Sequence, residues 1–290
     1  MDISIELHND LLVWQKAEIT GHHIYSRLAS MVGNEANRKV IERIAQDELG
    51  HYDVFRSFTE KDVEPDRFKI LLFPWIARLF GLTFGIKLME RSEDAAQAAY
   101  AGLIKDIPQL EDVLKDEEEH ETDLIDMLDE PLLRYIGSVV LGLNDALVEL
   151  TGALAGLSLA FQNTNLIALS GLITGISASL SMAASEYLSQ RAEGKGSDAL
   201  RSAVYTGIAY IFTVAVLVLP YLLFSNYLIC LVVTLTAAIV VIAVFNYYLA
   251  VARDLDFRRR FVEMTLISLG VAALSFGIGY LIRAWIGIDI

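Results

Sequence analysis

Asp116 to Asp123 reads DEEEHETD, and Asp47 to Tyr52 reads DELGHY. Each stretch contains Glu-x-x-His: Glu117 with His120, and Glu48 with His51. Residues i and i+3 are neighbours on a helix, so each pair presents a carboxylate and an imidazole on one helical face. A further Glu lies upstream of each pair: Glu18 is 30 residues before Glu48, and Glu90 is 27 residues before Glu117. The chain thus carries two similar helix pairs in tandem. One Glu from each of two helices and a Glu-x-x-His from each of two others is the set with which a four-helix bundle holds two metal ions. A single Glu-x-x-His in an acidic helix is ordinarily a solvated pair; its repetition at near-equal distance makes the signal specific.

The helices that carry these residues follow from apolar spacing. Leu7, Leu11, Leu12, Trp14, Ile24 and Leu28 recur at helical intervals from about Ile3 to Met31, and Gly33 is a stop. Asn34 can cap a second helix running to about Phe58, antiparallel to the first because almost nothing joins them. A third helix is expected from about Leu82 to Lys105, carrying Glu90 and Glu93, and a fourth from Pro108 to about Asp129. Helices of roughly 25 residues span about 37 Å, which leaves the ligand residues near mid-helix. Lys61 to Phe80 reads as the long connection between the pairs. Its apolar length approaches that of a membrane span, but Lys69, Arg78 and Pro74 make crossing costly. It is expected either to lie on a membrane surface with Trp75 and Phe80 inserted or to pack on the bundle.

Composition divides the chain near residue 131. Residues 1–131 hold 28 Asp and Glu against 14 Lys and Arg, and residues 132–290 hold nine of each. The acidic first half attracts cations. It excludes nucleic acid as a partner, because phosphates require Lys and Arg. The single cysteine, Cys230, allows neither an internal disulfide nor a Cys-x-x-Cys site. The start, MDISIELHND, lacks the basic and apolar segments of a signal peptide, so the first half is expected to stay where it is synthesised.

Carboxylate with imidazole, and no thiolate, suits iron or manganese rather than structural zinc. Glu48 and Glu117 are the expected bridges between two ions, Glu18 and Glu90 the terminal carboxylates, and His51 and His120 bind one ion each. Glu93, one turn after Glu90, is a seventh candidate. His22 and His23 lie near Glu18 and are expected beside the site or on the surface.

Residues 1–131 resemble the ferritin-like domain of the rubrerythrin and erythrin family, through Glu18, DELGHY, the Glu90 and Glu93 pair and EEEH. The resemblance implies a di-iron centre that oxidises Fe(II) with oxygen or peroxide. The four cysteines of a rubredoxin module are missing, which argues against a self-contained peroxidase.

After Pro131 come five apolar spans, at about 134–160, 166–190, 202–224, 227–251 and 261–285, each long enough for a bilayer core of about 30 Å. The links after spans two and four carry Arg191, Lys195, Arg201 and Arg253, Arg258, Arg259, Arg260, whereas those after spans one and three carry no basic residue. By the positive-inside rule the first half is cytoplasmic and the C-terminus lies outside. Charged and amide residues within the spans are few and therefore informative: Asn144, Asp145 and Glu149 on span one, Glu186 on span two, one turn after the thioether of Met182, and Asn246 on span four. Small residues, among them Gly152, Gly156, Gly171 and Gly175, allow close helix approach.

This half resembles the vacuolar iron transporter family through GLNDALVELTGALAG in span one and SMAASEYLSQRAE in span two. The resemblance implies a dimer that exports divalent metal from the cytosol in exchange for protons. It places Asp145 and Met182 on the ion path; Glu149, Glu186 and Asn246 are further candidates from their polarity within the spans alone. Two departures stand out. Thr174 occupies the place of a span-two Glu, and the Glu-rich insertion between spans two and three shrinks to about Arg191–Arg201. The fusion resembles membrane-bound ferritin-like exporters of bacteria and archaea.

The expected architecture is therefore all-α, a ferritin-like four-helix bundle (1–131) followed by a five-helix transmembrane domain (132–290), in a prokaryotic cell membrane. The leading function is export of Fe(II), with manganese a second candidate cargo, by a homodimer whose bundle binds, senses or oxidises iron. Two rival expectations are a membrane-anchored di-iron oxidase or peroxidase without transport, and a bundle that serves only dimerisation.

Overall fold

The computed structural model describes the backbone of residues 5–104, 107–127 and 135–286; the side chains of 92–102, 121, 125–127 and 286 lie outside that description. The chain divides into two compact units at Glu130 and Pro131. Among the described residues every regular element is a helix.

In the first unit α1 (Ile5–Met31) and α2 (Glu35–Thr59) pack along each other. The joint is short because the Asn34 side chain accepts from the N–H groups of Ala36 and Asn37, at 2.9 and 3.3 Å, and starts α2 at once. Ile24, Tyr25 and Leu28 of α1 meet Ile41, Ile44 and Ala45 of α2 in one apolar cluster. A second cluster joins Leu11, Trp14 and Phe55 to Ile107, Leu110 and Val113. The acidic residues between the clusters are thereby flanked by apolar packing at both ends.

The expected connection 61–80 contains a helix, α3 (Arg67–Phe80), begun by the Asp66 carboxylate, which accepts from the N–H groups of Phe68 and Lys69. Pro74 lies inside it. Proline has no N–H to give the carbonyl four residues earlier, here that of Ile70. The Arg27 guanidinium of α1 supplies the missing donor, Nη1 to Ile70 O at 3.2 Å. Gly81 follows with φ 100° and ψ 150°, backbone that an L side chain rarely adopts, and the chain turns there into α4 (Leu82–Leu103). α5 (Leu110–Met127) begins two residues after Pro108. α5 packs against both α2 and α4, and α4 also touches α1.

The second unit comprises α6 (Ile136–Phe161), α7 (Thr164–Ala192), α8 (Ala199–Leu223), α9 (Tyr227–Ala252) and α10 (Phe257–Ile286). All five are long and apolar enough to cross a membrane. α6 touches each of the other four. Its Leu147, Leu150 and Leu154 pack with Tyr210, Val214 and Leu217 of α8 and Ile242 of α9. Buried hydroxyls bond to backbone carbonyls within the unit: Thr206 to Ser138 O at 3.0 Å, Thr234 to Leu217 O at 3.0 Å, and Ser268 to Leu147 O at 2.7 Å. Gly156 of α6 and Gly279 of α10 bring those backbones so close that a Cβ on Gly279 would collide with Gly156 O. Outward side chains such as Ile173, Leu180, Phe212, Val244 and Leu274 are exposed and apolar, as a lipid-facing surface requires.

Candidate metal centre

α1, α2 and α5 bring Glu18, Glu48, His51, Glu117 and His120 together, all buried or nearly so. They form two groups whose ligand atoms lie within 4.8 Å of one another: Glu18, His51 and Glu117, and Glu48, Glu117 and His120. Glu117 belongs to both. Its Oε1 is 3.2 Å from His51 Nδ1, and its Oε2 is 3.8 Å from His120 Nδ1; Glu18 Oε2 is 3.4 Å from His51 Nδ1. The imidazoles face each other across 6.0 Å between ring centroids.

The outer edge of each ring is held by an aspartate that sequence spacing did not single out. His51 Nε2 is 3.3 Å from Asp116 Oδ2, and His120 Nε2 is 3.1 Å from Asp47 Oδ2. A carboxylate only accepts, so each Nε2 carries the donated proton, and in the neutral ring Nδ1 keeps its lone pair. Both Nδ1 atoms are buried and have no contact of hydrogen-bond geometry. Two inward lone pairs among carboxylate oxygens are what a pair of cations requires, so this donor set fits metal. Gly21 of α1 contributes by what it lacks: a Cβ there would meet Glu48 Oε2 at 2.6 Å.

Charge reinforces the arrangement. Burial would lower the pKa of His51, but the Glu117 and Glu18 carboxylates against it outweigh burial and push it up to about 10. His120 moves up likewise, Glu117 and Asp47 overcoming the effect of burial. Burial raises Glu117, yet His120 and His51 hold it well below the usual carboxylate range. Without metal, protons on the two histidines thus offset part of the carboxylate charge.

Not every expected residue falls in these two groups. Glu90 on α4 belongs to neither group, and the Glu93 side chain lies outside the described residues. Of the two carboxylates expected as bridges, Glu117 belongs to both groups and Glu48 to the second only. His22 Nδ1 lies 2.5 Å from Ala45 O, and its ring stacks edge-on with His23.

In the second unit Asp145 and Glu149 lie one turn apart on α6, and Tyr210 of α8 donates to Glu149 Oε2 at 3.1 Å. Glu186 on α7 is buried and accepts from Ser138 Oγ at 2.8 Å and Gln190 Nε2 at 3.0 Å. Met182 is half-buried against the apolar core. Asn246 and Asn144 line a cavity of about 280 Å³ with Arg260, Glu263 and Met264, which spacing alone did not bring together.

Residues 136–198 match the model of the VIT family, the vacuolar iron transporters. The VIT match covers α6, α7 and the link to α8, hence Asp145, Glu149, Met182 and Glu186. Asn246 and Glu263 lie beyond it. No curated protein and no solved structure gives a significant match. A segment similar to the vacuolar iron transporters thus lies within a unit of five helices that are long and apolar enough to cross a membrane, a combination that suggests metal-ion transport across a lipid bilayer.

Proposed function

We propose that the chain exports divalent iron, with manganese as a second cargo, and that its first unit is a ferritin-like four-helix bundle that receives iron on the cytoplasmic side. One observation carries this reading: two ligand groups sharing Glu117 occur in the same chain as a VIT segment bearing Asp145 and Met182. Glu18, His51 and Glu117 would hold one ion, and Glu48, Glu117 and His120 the other, with Glu90 completing the set. A bound iron pair supplies one-electron oxidation of Fe(II) by oxygen or peroxide. The chain's own residues set up that chemistry: Asp116 and Asp47 orient the imidazoles, and the acidic surface concentrates cations around the bundle.

The basic links after spans two and four support a cytoplasmic first unit. In the membrane, Asp145 and Met182 offer one hard and one soft donor, a combination that favours a transition-metal ion over calcium or magnesium. Proton exchange and a dimeric path between copies complete the proposal. In proteoliposomes, Asp145→Ala should abolish Fe(II) flux while metal bound by the bundle stays unchanged. Undiminished flux in that variant removes the transport assignment. Peroxide consumption at turnover rates, with no flux in the parent protein, replaces it with a membrane-anchored oxidase.

A further inference from the structure

α3 has two faces of opposite fate. Ile70, Phe73 and Ala77 are buried in the cluster that joins α1 and α2. Phe68, Leu71, Trp75 and Leu79 point the other way and are 62 to 70% exposed, with Leu72 and Phe80 beside them. At 100° per residue, positions 68, 71, 72, 75 and 79 fall within one stripe about 100° wide. Arg67 and Arg78 flank one side of that stripe and Lys69 the other, and RFKILLFPWIARLF contains no acidic residue. In a half-chain with twice as many acidic as basic residues, this is a local reversal of charge.

We propose that α3 docks flat on the anionic lipid surface of the membrane that α6–α10 span, with Phe68, Leu71, Trp75 and Leu79 inserted at the headgroup boundary. The occupant follows from three features. The same chain carries five helices long and apolar enough to cross a bilayer, which tether this unit to a lipid surface. Arg67, Lys69 and Arg78 border the apolar stripe where their charges reach headgroup phosphates while their stems lie along the apolar boundary. Trp75, at the middle of the stripe, is the side chain that prefers a membrane interface to either water or hydrocarbon. Fourteen residues make a helix about 21 Å long, too short to span and suited to lying in the interfacial plane. Two residues of α1 hold the helix to its unit, Arg27 donating to Ile70 O and Thr20 Oγ1 accepting from the Asp66 N–H, so docking requires no unfolding.

The test uses the full chain in nanodiscs of phosphatidylcholine and phosphatidylglycerol, with Trp14→Phe and Trp285→Phe leaving Trp75 as the only tryptophan. Circular dichroism establishes that each variant keeps its helix content. Lipids brominated near the headgroup end of the acyl chain should quench Trp75 emission more than lipids brominated near the terminal methyl. Leu71→Glu with Leu79→Glu should abolish the quenching. Reversing Arg67, Lys69 and Arg78 to Glu should reduce it at least about twofold. Trp75 emission unaffected by brominated lipid overturns the proposal, whether aqueous iodide reaches the ring or a second copy of the chain shields it. Quenching unchanged by the charge reversal overturns its anionic-lipid part.

Discussion

His51 on α2 turns its Nε2 toward Asp116 on α5, 3.3 Å away, while His120 on α5 turns its own toward Asp47 on α2, 3.1 Å away. Each helix orients the other's imidazole. Asp116→Ala and Asp47→Ala should each lower metal affinity about 10- to 100-fold with helix content unchanged, measured by competition with a chelator. Asp116→Asn should fall between, because an amide oxygen still accepts from Nε2.

Gly21→Ala should separate the two ligand groups. The added methyl meets only the flexible end of Glu48, so the fold gives way there at little cost. Binding at Glu48, Glu117 and His120 should weaken, whereas the group containing Glu18 and His51 persists. Gly50→Ala, at a helical position with nothing within 4 Å, is the control, expected to keep both groups and to gain about 0.5–1 kcal/mol in thermal unfolding.

Metal uptake should expel protons. His51 binds metal only when Nδ1 is deprotonated, and in the metal-free centre its pKa of about 10 keeps it protonated at neutral pH. Between pH 6 and 8 the affinity should therefore rise by about one decade per pH unit for each proton displaced. Titration calorimetry in buffers of different ionisation enthalpy counts those protons. For folding of the metal-free protein the sign follows from the raised value. The stability that protonated His51 contributes is full below its ordinary 6.5 and is lost as pH rises through about 10.

Arg27→Met should cost about 1 kcal/mol by leaving Ile70 O without a donor. In a Pro74→Ala background the restored N–H takes over, and the same substitution should cost almost nothing. Chemical denaturation of the four proteins in this cycle measures the coupling.

In the membrane unit, Glu186→Gln should leave Fe(II) flux near that of the parent, since glutamine still accepts from Ser138 and Gln190. Asp145→Asn should abolish it. Parallel flux measurements in proteoliposomes distinguish a structural carboxylate from one on the ion path.

The acidic and imidazole groups that come together were legible in the sequence because Glu-x-x-His is a local pattern, fixed by helix pitch alone. The sequence also marked the five membrane spans, whose ends differ from expectation by a few residues, since a long apolar run needs no partner to be recognised. Asp47 and Asp116 escaped notice for the opposite reason. Each immediately precedes a ligand Glu, so the Asp-Glu-x-x-His repeat was visible, but its use depends on contacts 73 and 65 residues away. α3 was hidden by Pro74, whose cost is met at Ile70 O by an arginine 43 residues before Ile70. The bond from Ser138 to Glu186 was equally invisible in the sequence, because the two residues lie on different helices, 48 residues apart.

The crossing of His51 to Asp116 and His120 to Asp47 also bears on how the protein can be divided. A fragment carrying one Asp-Glu-x-x-His would contain an imidazole and an acid but not the acid that aims that imidazole. Two such fragments, each useless alone, would complete each other on meeting, and the recovery of metal binding would report their assembly.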